Sequence, residues 1–140
     1  MLQRIQTIWL LLATIITGLY IYFPLWSSAD SPGMDELGAA TQVYLLLIAS
    51  LAGLIQFISI FLFKKRKLQI TFCNVSIVMT LLFIIIFFLV FQSEVGDFSM
   101  LVSGIKIGAL LPILVLLFNF LAIRGIKKDE AIVRSMDRLR

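Results

Sequence analysis

Four long apolar segments, with charge confined almost entirely to their ends and connections, constrain this chain more than any other feature. They run over residues 5–26, 41–63, 68–91 and 100–123. A helix that crosses a bilayer needs about 20 mainly apolar residues, and each segment supplies them. None contains a carboxylate, and only the last contains a cation, Lys106. The pattern predicts an all-α integral membrane protein, built as a bundle of four transmembrane helices.

Composition supports one membrane domain over residues 1–140. The 140 residues are 61% hydrophobic and 14% charged, whereas a soluble domain is nearer about half apolar and about a quarter charged. With so few polar residues, the chain cannot cover a soluble globule. We find no internal repeat, linker or second domain.

The distribution of charge predicts the orientation. Every Lys and Arg except Lys106 lies at the N-terminus, in residues 64–67 or after Ile123, while the connections 27–40 and 92–99 hold five acidic and no basic residues. Because basic residues favour the cytoplasmic side, we expect both termini in the cytoplasm and the acidic connections outside. The first segment is longer than the core of a signal peptide, which favours a retained anchor.

Aromatic residues near the segment ends fit these limits. Trp9 lies near one end of the first segment, and Tyr20, Tyr22 and Trp26 lie near the other. Amphipathic rings prefer the headgroup level of a membrane, so we expect these side chains at the two interfaces.

Catalytic chemistry is sparse. The chain has no His and one cysteine, Cys73, so imidazole ligands, internal disulfides and Cys-x-x-Cys pairs are excluded. We expect no enzyme activity, no metal and no cofactor. The basic residues are accounted for by topology, so no nucleic-acid partner is expected.

Small and polar residues mark the expected contacts between helices, because close packing and hydrogen bonds hold helices together in lipid. Gly104 and Gly108 form a G-x-x-x-G pair, and Pro112 predicts a kink. The predicted helix-packing residues are Gly18, Gly53, Gly104, Gly108 and Asn119.

Three amides, Gln56, Asn74 and Asn119, fall in the cytoplasmic halves of their segments. They form a candidate polar cluster. One interpretation is a site for a small molecule or ion, and the other is a set of hydrogen bonds between helices. The absence of charged groups favours hydrogen bonding.

Lys106 lies about two turns into the fourth segment from the outside. On a continuous helix it would point about 200° away from Gly104 and Gly108. Two interpretations stay open: the side chain reaches the outer interface by snorkelling, or it pairs with a partner subunit.

The tail, residues 124–140, combines charge with an apolar stripe. Glu130 and Arg134 form a favourable i,i+4 pair, and the apolar residues recur at helical spacing. We predict a short cytoplasmic helix that lies on the headgroups or docks on a protein; the alternative is a solvated basic tail that only fixes topology. The candidate partner contacts are Lys106, Arg134, Met136, Asp137, Arg138 and Leu139.

Both ends of the chain carry a family resemblance. The start, Gln3-Arg4-Ile5-Gln6, and the end, with Lys128-Asp129-Glu130-Ala131 and Asp137-Arg138-Leu139-Arg140, resemble a family of small four-span inner-membrane proteins of Bacteroidota, catalogued as a domain of unknown function. The resemblance implies a bacterial inner membrane with the acidic connections in the periplasm, and it supplies no activity. We expect Gln3, Arg4 and Gln6 to meet the tail or to share a partner with it.

These features predict a non-catalytic accessory or structural subunit of a larger bacterial inner-membrane complex. It would bind its partners through lipid-exposed helices and the basic tail. The alternative is a small oligomeric transporter or channel that uses Lys106 or the polar cluster. The expected partners are the lipid bilayer and other inner-membrane or cytoplasmic proteins, and a homo-oligomer stays open.

Overall fold

The computed structural model describes residues 3–27, 36–39, 41–94 and 102–138. Its elements are α1 (Gln3–Tyr22), β1 (Pro24–Ser27), β2 (Glu36–Gly38), α2 (Val43–Phe61), a 3-10 turn (Leu62–Lys64), α3 (Arg66–Glu94) and α4 (Ile107–Arg138).

Among the described residues, three stretches of helix are long and apolar enough to cross a membrane, namely Val43–Phe61, Arg66–Ser93 and Ile107–Val133. A shorter apolar stretch, Gln6–Tyr22, covers most of α1. The protein is therefore an all-α multi-pass membrane protein.

Each helix buries residues at alternating spacings of four and three. The inward stripes are Gln6, Leu10, Ala13, Thr17 and Tyr20 on α1; Leu45, Ala49, Ala52, Gln56 and Ser59 on α2; Gln69, Cys73, Ser76, Thr80 and Phe83 on α3; and Gly108, Pro112, Val115, Asn119, Ala122, Ile126 and Asp129 on α4. A mean spacing of 3.5 residues keeps one stripe facing its neighbours along a supercoiled bundle.

The bundle exposes far more large apolar side chains than a soluble bundle does. The inward stripes combine hydroxyl, amide and small side chains with apolar ones such as Leu10 and Phe83. Many other large apolar residues, such as Leu54, Ile85 and Leu117, are exposed. In lipid the exposed apolar surface costs nothing, and close packing and hydrogen bonds hold the helices together. An exposed apolar surface around a partly polar interior is therefore expected of helices that pack inside a membrane.

Contacts at both ends show that α1 and α4 are antiparallel. Trp26, just after α1, forms a β-bridge with Ile105, just before α4. At the opposite end Gln6 bonds Asp129. We call the first the hairpin end and the second, which also carries Lys65, the basic end.

Two of the four aromatic residues expected at the membrane interfaces are buried inside the protein. Tyr20 is completely buried and packs on Phe83, with 4.8 Å between ring centroids. Trp26 is 5% exposed and packs edge-on against Phe91 at 5.4 Å. Tyr22, by contrast, is 85% exposed. Helical phase explains the difference, because Tyr20 continues the inward stripe of α1 and Tyr22 does not.

A small sheet interrupts the predicted fourth span. β1 pairs antiparallel with β2, and on its other side the backbone nitrogen of Lys106 donates a hydrogen bond to the carbonyl oxygen of Leu25, at 3.1 Å. The expected continuous helix over residues 100–123 is therefore wrong. A helical turn at 102–104 gives way to this bridge, and α4 begins at Ile107. Extended backbone is tolerated here because the sheet satisfies it.

The predicted separate helix in the tail is also absent from the described residues. Instead, α4 continues unbroken for 32 residues to Arg138, through Pro112 and Gly125. Strong helix formers such as Lys127, Lys128 and Glu130 favour this continuation.

Candidate functional site

One hydroxyl-amide network joins all four helices at mid-bundle. Thr17 on α1 donates its hydroxyl to Gln56 Oε1 on α2, at 2.8 Å. Gln56 Nε2 donates to Ser76 Oγ on α3, also at 2.8 Å. Asn119 Nδ2 on α4 reaches the same Ser76 oxygen at 3.5 Å. We call Thr17, Gln56, Ser76 and Asn119 the polar layer, and all four side chains are buried.

Bonds to the helix backbones hold the polar layer in place. Thr17 Oγ1 also contacts the carbonyl oxygen of Ala13 at 2.8 Å, and Asn119 Nδ2 donates to the carbonyl oxygen of Val115 at 3.1 Å. Thr17 and Asn119 are therefore each fixed against their own helix as well as against a neighbour. Hydrogen bonds between membrane helices contribute about 0.6 kcal/mol on average and up to about 1.7 kcal/mol.

A second pair of contacts joins α2 and α3 nearer the basic end. Ser59 Oγ lies 3.3 Å from the buried thiol of Cys73. Gln69 Nε2 donates to the carbonyl oxygen of Ser59 at 3.2 Å. These contacts extend the polar interior from mid-bundle toward the basic end.

A third polar group closes the basic end. The side-chain amide of Gln6 donates to the carboxylate of Asp129, and both residues are at most 7% exposed. Arg66 Nη1 donates to the backbone oxygen of Asp129 at 3.3 Å. We call Gln6, Arg66 and Asp129 the clamp. It joins the start of α1 and the α2–α3 turn to the far end of α4.

Gly125 allows α1 and α4 to approach each other beside the clamp. A Cβ atom at this position would lie 3.0 Å from Gln6 Cγ, which is tighter than ordinary van der Waals contact. The start of the chain thus meets the tail through Gln6, as expected. The side chains of Gln3 and Arg4 lie outside the described part of the structure.

The structure brings together two of the three amides predicted to cluster. Gln56 and Asn119 meet through Ser76, whereas Asn74 lies on the exposed side of α3. Ser76, two residues further along α3, faces inward instead. Sequence reasoning did not assign Thr17 to the cluster, although the spacing of four and three from Ala13 to Thr17 to Tyr20 could have identified it.

The predicted packing glycines occupy two different environments. A Cβ atom on Gly53 would meet the Thr17 side chain at 3.3 Å, so Gly53 lies in the α1–α2 contact. Gly18 has nothing within 4 Å of such an atom. It lines an apolar groove of about 410 Å³ between α1 and α2, together with Thr14, Ser50 and Gly53.

The G-x-x-x-G pair contacts a strand rather than a helix. A methyl group on Gly104 would overlap Trp26 Nε1 and the backbone oxygen of Ser27, and one on Gly108 would overlap the backbone oxygen of Pro24. Both glycines therefore allow β1 to pack closely against the bundle. Sequence alone could not separate the two partners, because either one requires the absence of a side chain.

Lys106 lies at the hairpin end, not two turns inside a helix. It directly precedes α4, its side chain is exposed, and its backbone oxygen accepts a hydrogen bond from Ala109 at 3.0 Å. The expected angle of about 200° from the glycine face does not apply, because the backbone at Ile105 and Lys106 is not helical. Lys106 and the polar layer lie at different levels of the bundle.

The tail residues proposed to contact a partner continue α4. The helix includes positions 134–138, but the side chains of Arg134, Met136, Asp137 and Arg138, and all of Leu139, lie outside the described part of the structure. The nearest described apolar side chains are Ile132 and Val133, which are 40% and 38% exposed.

The polar layer and the clamp differ in their chemistry. The polar layer holds only hydroxyls and amides, and the clamp holds one carboxylate. Within residues 3–27, 36–39, 41–94 and 102–138, no three His, Cys, Asp or Glu side chains lie together as metal ligands would. The arrangement can fix helices against one another through hydrogen bonds.

Comparison with known proteins places the chain in a family. No curated protein and no solved structure matches it significantly. A family model described as "Domain of unknown function (DUF4293)" matches residues 2–139. The match covers both the clamp and the polar layer, and nearly the whole sequence. The chain therefore belongs to the DUF4293 family of unknown function.

Proposed function

We propose that this protein is a non-catalytic accessory subunit of a larger complex in a bacterial inner membrane. Its four helices form the membrane anchor, and the far end of α4 presents a docking face to a cytoplasmic partner. The observation that carries the proposal is the course of the inward stripe of α4, which continues beyond the bundle.

The stripe is buried from Gly108 to Asp129. In the sequence the same spacing of four and three continues to Val133 and Met136. Val133 is 38% exposed, and Gln6, which contacts Asp129, lies only one turn after the start of α1. An apolar stripe that continues beyond the helices covering it is suited to docking another helix.

The length of α4 supports a projection into water. Its 32 residues span about 48 Å at about 1.5 Å per residue, while the hydrocarbon core of a bilayer is about 30 Å thick. About 18 Å of helix therefore lies beyond the core. The clamp holds the base of this projection, so its direction is fixed by α1 and the α2–α3 turn.

Charge supports the orientation with the basic end in the cytoplasm and all four helices spanning. Among the described side chains, the exposed cations at that end are Lys65, Lys67, Arg124, Lys127 and Lys128, whereas Lys106 is at the hairpin end. The excess of basic residues favours the cytoplasmic side. α1, at 20 residues, measures about 30 Å, which matches the hydrocarbon thickness.

A transporter or channel is the second candidate, and the polar layer is the observation in its favour. A route for a polar solute needs polar groups inside the bundle, and Gln56, Ser76 and Asn119 provide them. However, these groups bond one another, and the exposed Lys106 lies apart from them. Membrane transport sites are more often marked by ionisable groups, so the structural role has more support.

Site-specific photocrosslinking in cells tests the docking proposal. A photoreactive residue replacing Val133 should yield one discrete adduct of higher mass. The same residue replacing Leu117, which is exposed on the membrane-spanning part of α4, serves as the control and should not give that adduct. If both positions give the same adducts, or if Val133 gives none, the far end of α4 is not the docking face.

A further inference from the structure

Two buried polar atoms are not accounted for by hydrogen bonds between the helices. Tyr20 Oη and Asn119 Oδ1 have no hydrogen-bond partner within the described part of the chain, although both side chains are completely buried. A buried polar group without a partner is unfavourable, because burial removes its hydrogen bonds to water. Such groups in native proteins commonly bind an ordered water or another ligand.

The two atoms belong to side chains that lean toward each other. Tyr20 and Val115 belong to one core cluster, and Asn119 lies one turn beyond Val115 on the same stripe. Side chains on a helix tilt toward its N-terminus. Because α1 and α4 are antiparallel, Tyr20 tilts toward the level of Asn119, and Asn119 tilts toward the level of Tyr20.

Thr17 lies on the side of Tyr20 toward which the tyrosine side chain tilts. It is one turn before Tyr20 on α1, and its hydroxyl lies near that of Tyr20 without meeting hydrogen-bond geometry at Tyr20 Oη. Its single hydrogen is shared between Ala13 and Gln56. A lone pair on Thr17 Oγ1 therefore remains able to accept a hydrogen bond.

We propose that one water molecule is bound inside the bundle and bridges Tyr20 Oη and Asn119 Oδ1. The water accepts the hydroxyl hydrogen of Tyr20 and donates one hydrogen to the amide oxygen of Asn119. Its second hydrogen is donated to Thr17 Oγ1. Three hydrogen bonds are typical of a buried water, and this arrangement satisfies both atoms.

The surrounding groups select a small neutral ligand. The three polar groups proposed to bind at the bridge are two hydroxyls and one amide, and none of them offers a countercharge for an ion. The position lies between packed helices, with Phe83 and Val115 on its hairpin side. A single water fits this chemistry, and it extends the polar layer by one member.

An experimental structure of the full chain in a lipid phase, at a resolution that shows ordered water, tests the proposal directly. We expect a peak within about 3.2 Å of both Tyr20 Oη and Asn119 Oδ1. Direct bonding of these atoms to protein groups, with no peak between them, would overturn the proposal.

Thermal unfolding provides a second test. Tyr20→Phe should lower Tm by about 2–5 °C, because the water loses its donor, whereas Tyr22→Phe on the exposed side of α1 should leave Tm unchanged. Tyr20→Phe combined with Asn119→Ala should lower Tm by less than the sum of the two single changes. If Tyr20→Phe behaves like Tyr22→Phe, or if the two effects are additive, the bridge does not exist.

Discussion

The side-chain amide of Gln6 donates a hydrogen bond to the carboxylate of Asp129, which joins residues 123 positions apart. This contact holds the start of α1 against α4 at the basic end. Together with the bridge between Trp26 and Ile105, it fixes the antiparallel pairing of α1 and α4 at both ends.

Loss of the Asp129 carboxylate should destabilise the bundle. Asp129→Ala leaves the buried amide of Gln6 without an acceptor, and we expect the free energy of unfolding to fall by about 1–3 kcal/mol. Asp129→Asn keeps an acceptor and should lose less. Lys128→Ala, on the exposed neighbour, should change it by less than about 0.5 kcal/mol. Equal effects of Asp129→Ala and Lys128→Ala in detergent unfolding would refute the clamp.

Ser76 should matter more than its neighbour Asn74. Ser76→Ala removes the acceptor for both Gln56 and Asn119, and we expect a loss of about 0.5–2 kcal/mol. Asn74→Ala, on the exposed side of the same helix, should be nearly neutral. A double-mutant cycle with Gln56→Leu should show coupling, since the two side chains share a bond at 2.8 Å. Independent effects would contradict the polar layer.

Two glycines should respond oppositely to alanine. Gly108→Ala places a methyl group against the backbone oxygen of Pro24, and displacement of β1 should cost about 1–3 kcal/mol. Gly18→Ala meets nothing within 4 Å and should stabilise α1 by up to about 1 kcal/mol through helix propensity. Chemical unfolding of both variants measures the difference. A tolerant Gly108 would show that β1 does not depend on this close approach.

Cysteine labelling tests the proposed orientation. In a Cys73→Ser background, Lys106→Cys should react with a membrane-impermeant maleimide added to intact spheroplasts. Lys128→Cys should react only after the membrane is opened. Both lysines are exposed, so the membrane alone decides access. The reverse pattern of labelling would show that the protein has the opposite orientation in the membrane.

The helical fold could be predicted from sequence because the length and apolar composition of a segment identify a membrane helix. Small and polar residues also predict Gly108 and Asn119 as packing residues, and both lie on the inward stripe of α4. α1 was harder, because its buried face mixes Gln6, Leu10 and Tyr20 with small residues, and only the spacing of four and three identifies it.

The hairpin end could not be predicted by the same rules. A hydropathy run does not show where a helix gives way to extended backbone, so hydropathy alone predicts that residues 100–106 belong to a span. The glycines at 104 and 108 fit a helix contact and a strand contact equally well. The contact of Ser76 with both Gln56 and Asn119 could not be predicted either, since it depends on the packing of three helices.

The measurement that tests the central claim most directly is the stoichiometry of the complex isolated in mild detergent. With the wild-type chain we predict a larger assembly that contains a second protein at a fixed ratio and survives size-exclusion chromatography. Val133→Glu should release that protein while the bundle keeps its Tm, and Lys106→Gln should retain it. A chain that elutes alone or only with copies of itself, or a complex indifferent to Val133→Glu, would contradict the account.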